Sequence, residues 1–127
     1  MPKTTIRSDA APKPVAAYSQ AVRAGDFLFL SGQIGIDPGS GELVPGGVEA
    51  ETRRVLENLR AVLAAGDSGF EHVVKMTVYL TDMGDFSVFN AVYVGYFERE
   101  PPARATVAVV ALPRGARVEI DAVALVP

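Results

Sequence analysis

Residues 48 to 65 carry a helical repeat inside a chain whose other ordered stretches mostly carry a strand repeat. This contrast limits the fold more than any other feature. Val48, Thr52, Val55, Leu56, Leu59, Val62 and Leu63 recur at three- and four-residue intervals and so share one helix face. Glu49, Arg53, Arg54, Glu57 and Arg60 fill the opposite face, with Glu49 and Arg53 spaced for a favourable i,i+4 pair. Gly66 is expected to stop the helix in a left-handed conformation. A second amphipathic helix is expected through Phe86, Phe89, Tyr93 and Phe97, with a turn and cap at Asp82 to Asp85 and Pro101-Pro102 at its end.

The strand signals fall around these helices. Thr4 to Arg7 is a short polar strand candidate. Tyr18 to Ala24 and Phe27 to Ser31 form a pair around the Ala24-Gly25-Asp26 turn. Phe27 and Phe29 share one face of their strand and Leu28 and Leu30 the other, so cover is expected on both sides. Residues 32 to 47 form a glycine- and proline-rich loop without a phosphate-binding glycine pattern. Val73 to Thr81, Arg104 to Leu112 and Arg117 to Val126 complete the set, the last two separated by Pro113-Arg114-Gly115. The order predicts an α+β fold: a mixed sheet with two helices on one face. Its other face is largely apolar, and a partner subunit is the economical cover.

Composition removes several function classes. The 127 residues fit one domain, and a hydrophobic share of 49% supplies a core with material left for an interface. With no cysteine, disulfides, thiolate zinc sites and a cysteine nucleophile are excluded, and the single histidine, His72, leaves no histidine-rich metal site. His72 stands at a strand start and reads as structural. A formal net charge of −3 argues against a nucleic-acid partner. No stretch reads as a signal peptide or a membrane span, and a cytoplasmic setting is expected.

Two residues stand out chemically. Arg104 opens an otherwise apolar strand, where a guanidinium calls for an anionic partner; a bidentate small-molecule carboxylate serves, and so does a structural ion pair or a snorkelling surface arginine. Glu119 lies on the polar side of Arg117-Val118-Glu119-Ile120-Asp121-Ala122, as an ordinary solvated residue or as a carboxylate that polarises a water. If the last two strands paired through the 113–115 turn, Glu119 would face Val109 and stand five residues, roughly 17 Å, from Arg104. Either the strands pair differently or the two groups meet across a subunit boundary, and the boundary is the preferred expectation. Tyr18, Ser31 and Asn90 are polar groups on apolar elements, suited to binding or to structural hydrogen bonds.

The stretches Tyr18-Ser19-Gln20-Ala21, Leu30-Ser31-Gly32-Gln33 with Gly35-Ile36-Asp37-Pro38, Asn90 and Tyr93 with Tyr96-Phe97, and Pro102-Ala103-Arg104 through Val107, continuing into Leu112-Pro113 and Val118-Glu119-Ile120, resemble the RidA (YjgF) family over nearly the whole chain. The resemblance implies a six-stranded fold like that of trimeric chorismate mutase and a homotrimer with clefts between subunits. It implies hydrolysis of 2-iminopropanoate and 2-iminobutanoate to 2-keto acids and ammonia, without metal or organic cofactor. Carried over by position, Arg104 would hold the substrate carboxylate and Glu119 the attacking water. Tyr18, Ser31, Gly32, Asn90 and Thr106 would line the binding cleft; many relatives have cysteine where this chain has Thr106. A non-catalytic small-carboxylate sensor is the alternative.

Overall fold

Strand alternation decides which side chains reach the core. In the computed structural model, which describes residues 2–127, β6 (Val118–Leu125) buries Val118, Ile120, Ala122 and Ala124 on one face, as its period-two pattern predicts. The remaining strands are β1 (Lys3–Ile6), β2 (Ala21–Ala24), β3 (Phe27–Gln33), β4 (Val73–Leu80) and β5 (Ala103–Ala108). They form one six-stranded sheet in the order β1-β2-β3-β6-β4-β5. Every neighbouring pair is antiparallel except β4 and β5, which run parallel. Two helices, α1 (Gly47–Ala65) and α2 (Phe86–Val94), cover the face that carries Leu28, Leu30, Met76, Val78 and Leu80. Parallel strands need a crossover, and α2 supplies it between β4 and β5.

The helical stripe on α1 is buried as its spacing requires, and Glu49 and Arg53 approach to 3.5 Å on its outer face. Its end differs from expectation. Gly66 has φ −93°, and the left-handed residue is Asp67 at φ 60°. Gly66 is demanded by packing instead: a Cβ there would stand 2.6 Å from a methyl carbon of the fully buried Leu28. Three elements stop or start three or more residues short of expectation. The strand foreseen from Tyr18 begins at Ala21, because Tyr18 turns back to donate its backbone N–H to the Ala16 carbonyl at 2.9 Å. The helix foreseen to Phe97 ends at Val94 in a turn. The strand foreseen to Leu112 ends at Ala108, the register partner of Leu80, where β4 itself ends.

The open face of the sheet is uncovered in one protomer. Phe27, Phe29, Val107 and Leu125 are 43%, 48%, 42% and 39% exposed. The cover expected on both sides of β3 is thus present on the helix side alone.

Irregular backbone at one end of the sheet is held by buried polar side chains. Gln20, 2% exposed, accepts from the Ser8 N–H and donates to the Ser8 and Pro12 carbonyls at 3.1 and 2.8 Å. Asn58, fully buried, donates to the Ile34 and Ile36 carbonyls at 3.3 and 3.0 Å and accepts from Arg54 at 3.0 Å. Glu51 accepts from the Arg117 N–H at 2.8 Å. Buried polar groups persist only when paired in this way. Replacing Gln20 with alanine should cost about 1–3 kcal/mol and speed amide exchange across residues 8–13 while leaving β4 and β6 protected. Denaturant titration and hydrogen-exchange mass spectrometry read both, and unchanged exchange at residues 8–13 would rule the staple out.

Candidate active site

The segments that these side chains hold surround a cavity of about 800 Å³, whose lining includes Tyr18, Ser31, Gly32 and Glu119. Its floor is a β-bulge. Leu30 pairs with Ala122 and Gln33 with Ile120, so Ser31 and Gly32 together oppose one residue of β6. The bulge brings the backbone of β3 over the Glu119 carboxylate. A Cβ on Gly32 would overlap Glu119 Oε2 and stand 2.9 Å from its Cδ, so no other residue fits here without displacing the carboxylate. Ser31 is fixed by its backbone N–H, which donates to the Gln20 carbonyl at 3.0 Å, and by its hydroxyl, which donates to the Ser19 carbonyl at 2.6 Å. Burial, and next the charge of Asp121 on the same strand face, push the Glu119 carboxyl above its ordinary range.

Arg104 stands elsewhere. It registers with Met76 on β4, and so points to the helix face. There α2 presents Phe86, Phe89, Asn90 and Tyr93, one stripe at helical spacing. The guanidinium lies 4.7 Å from the Tyr93 ring centroid, 5.5 Å from Phe86 and 5.7 Å from Phe89. Contacts of this kind contribute roughly 0.5–2 kcal/mol each and hold the cation without neutralising it. One Nη donates to Asn90 Oδ1 at 2.8 Å, and among the described residues no carboxylate lies within ion-pairing distance. A guanidinium has five N–H donors, so several remain for a planar anion. Burial raises the Tyr93 hydroxyl's pKa against the opposing pull of the guanidinium. Thr106, on the same strand face, has a buried Oγ1 without a hydrogen-bond partner.

The structure therefore groups Tyr18, Ser31, Gly32 and Glu119 at one place and Arg104, Asn90 and Thr106 at another. Strands β5 and β6 do not pair; β4 lies between them. Glu119 registers with Tyr79, three residues from the Met76 rung of Arg104. The two groups are two strands and three residues apart, roughly 10 Å in each direction, on opposite faces of the sheet. His72 sits in a short turn before β4, 3.5 Å from a Glu71 oxygen and away from both groups. Among the described residues no three acidic or histidine side chains cluster to hold a metal ion, and no helix is long and apolar enough to cross a membrane. Two cations at the cavity rim, Lys13 and Arg114, carry no signal in the sequence: both lie on loops without periodicity.

Comparison with known proteins identifies the lineage. A family model described as Endoribonuclease L-PSP matches residues 8–126. The chain belongs to this family, also called YjgF/RidA. Protein DfrA of Myxococcus xanthus is 57% identical over 127 residues, covering 98% of this chain and 97% of that protein. The mouse protein named 2-iminobutanoate/2-iminopropanoate deaminase is 48% identical over 123 residues, covering 97% of this chain and 91% of its own length. The crystal structure of E. coli TdcF with bound serine superposes with a TM-score of 0.92 at 36% identity, covering 96% of this chain and 98% of that one. The mixed six-stranded sheet with two helices is the fold of this RidA family.

The contact between Gly32 and Glu119 generates a test by double-mutant cycle. Gly32→Ala should destabilise the protein by about 1–3 kcal/mol, and most of that loss should vanish when Glu119 is also alanine. Additive losses in a denaturant titration would show that the carboxylate does not rest on the bulge.

Proposed function

We propose that this RidA-family chain hydrolyses short 2-imino acids, 2-iminopropanoate and 2-iminobutanoate, to 2-keto acids and ammonia. In this proposal the protein is a cytoplasmic homotrimer, and each site forms between subunits. Arg104 from one meets Tyr18, Ser31, Gly32 and Glu119 from its neighbour. The observation that carries the proposal is the state of Arg104: a guanidinium fixed by three rings and an amide, with donors unused and no carboxylate of its own. The exposed apolar sheet face supports the trimer, since it needs cover. The name of the mouse relative supports the imine substrate, and the serine bound in TdcF supports a small amino-acid-like carboxylate ligand.

The chemistry follows from the residues. Arg104 fixes the substrate carboxylate through parallel hydrogen bonds and so orients the C=N carbon. Asn90 and the rings of α2 hold the guanidinium for that task, and Thr106 offers its unpaired hydroxyl beside it. Glu119 presents a water to the carbon and takes its proton. Tyr18 and Ser31 line the cleft on the water side. A carbinolamine forms and expels ammonia. A protonated imine is already a strong electrophile, so positioning and one base meet the demand, and no step calls on a metal or organic cofactor.

A coupled assay tests this directly: a pyridoxal-phosphate dehydratase releases the imine, and its loss is followed with and without the protein. Wild type should accelerate hydrolysis, and Arg104→Ala should lose about 100-fold or more while keeping its fold by circular dichroism. Wild type that binds 2-ketobutyrate without accelerating imine loss would support a carboxylate sensor instead. Cleavage of RNA by the homogeneous protein, lost with Glu119→Ala, would favour the activity in the family's description and overturn the proposal.

A further inference from the structure

We propose that Asp121, anchored by the Tyr79 hydroxyl, is a positioning residue that holds a fixed negative charge beside Glu119, so that this one carboxyl can both take and return a proton. The inference rests on the imine-hydrolase reading of the site. It concerns three side chains that share the open face of the sheet. Glu119 and Asp121 lie two residues apart on β6, which places their Cβ atoms roughly 7 Å from each other. Tyr79 on β4 is the register partner of Glu119, yet its hydroxyl reaches along the strand and donates to Asp121 Oδ2 at 2.9 Å. That bond pins the Asp121 carboxylate beside Glu119 instead of leaving it free to swing towards solvent.

Asp121 is the acidic group two residues from Glu119 on its own strand face; from β4, Lys75, the register partner of Val123, shares that sheet face, and in the proposed trimer Arg104 of the neighbouring subunit meets Glu119 as well. Arg117, the residue before β6, has its guanidinium 3.9 Å from Asp85. From β3 the bulge offers Ser31 and Gly32, neither of them charged. Across the cavity stand Asp9, Lys13, Tyr18 and Arg114, and the Arg114 guanidinium is engaged by the Gly41 carbonyl at 2.9 Å. Burial raises the Glu119 carboxyl first, and the Asp121 charge adds to it. The Tyr79 hydroxyl is pushed up in turn, mainly by its bond to Asp121, then by burial, then by the charges of Asp121 and Glu119.

Imine hydrolysis gives this arrangement a purpose. Water adds to the carbon of the protonated imine: a C–O bond forms, the C=N π pair goes to nitrogen, and one water proton passes to Glu119, leaving a neutral carbinolamine. In the second half the carbinolamine nitrogen takes that proton back from Glu119, the C–N bond breaks with its pair on nitrogen to release ammonia, and the hydroxyl proton passes to Glu119, and from there to solvent, as C=O forms. Atoms and charge balance with no oxidant or reductant. A carboxyl of ordinary acidity accepts a proton poorly in the first half, and raising its proton affinity moves it towards the optimum for both transfers.

The test uses Asp121→Asn, Tyr79→Phe and Asp121→Glu in the full-length protein, with two readouts. One is the titration of the Glu119 side-chain carboxyl by carbon-13 NMR without substrate; the other is the pH profile of kcat/KM for imine hydrolysis. For Asp121→Asn, the Glu119 titration and the acid limb should move together to lower pH. The ratio of kcat/KM at pH 5 to that at pH 8 should rise at least about twofold, with KM at pH 8 little changed. Tyr79→Phe should act in the same direction by less, and Asp121→Glu, which keeps the charge, should restore the wild-type limb. A Glu119 titration unmoved in both Asp121→Asn and Tyr79→Phe overturns the proposal, even where thermal stability drops. A wild type without imine turnover would instead overturn the hydrolase reading, and the NMR titration would still decide whether Asp121 governs Glu119.

Discussion

Side chains alternate across a β-strand, and that rule separates the two groups on which the proposed chemistry depends. Arg104 falls on the helix side of β5 and Glu119 on the open side of β6, with β4 between them. No rotamer change brings a guanidinium through a hydrogen-bonded sheet. A site that uses both groups on a three- or four-carbon substrate therefore takes them from different chains. The exposed Phe27, Phe29, Val107 and Leu125 lie on a surface that a second copy can cover.

Each half of the site is built rigidly within its own protomer. On one half, a stripe of α2 holds the guanidinium by its face and by one edge, leaving other edges open. On the other half, a bulge in β3 and a glycine without room for a side chain seat the carboxylate, and Asp121 and Tyr79 adjoin it on the same sheet face. Gln20, Asn58 and Glu51 spend buried polar groups on loop backbone, which would otherwise leave unpaired carbonyls and N–H groups around the cavity. Preorganisation of this kind suits a reaction that needs positioning more than strong acid–base chemistry.

Much of this was legible in the sequence because it depends on periodicity. The stripe on α1 and the alternating face of β6 are local patterns, and both are buried as their spacing predicts. Arg104 was legible as a cation out of place in an apolar strand. What sequence could not give is non-local. The insertion of β4 between the last two strands joins residues far apart in the chain, so the pairing of β5 with β6 considered from their short connection does not occur. The bulge at Ser31-Gly32 depends on register against β6, and glycine there reads as an ordinary loop residue until Glu119 is seen beneath it. Helix α1 ends at Ala65 before Gly66, as its pattern predicts, but the conformation of Gly66 and the start of strand β2 are set by tertiary contacts: Leu28 against Gly66, and the turn that draws Tyr18 out of its strand.

The proposed chemistry requires Arg104 and Glu119 to serve one site from two chains. Unfolding and refolding a 1:1 mixture of Arg104→Ala and Glu119→Gln subunits, each inactive alone, tests it. Random assembly would create intact Arg–Glu neighbours at about a quarter of sites, so imine hydrolysis should return to roughly a quarter of wild type. A mixture no more active than its two components would contradict the shared site.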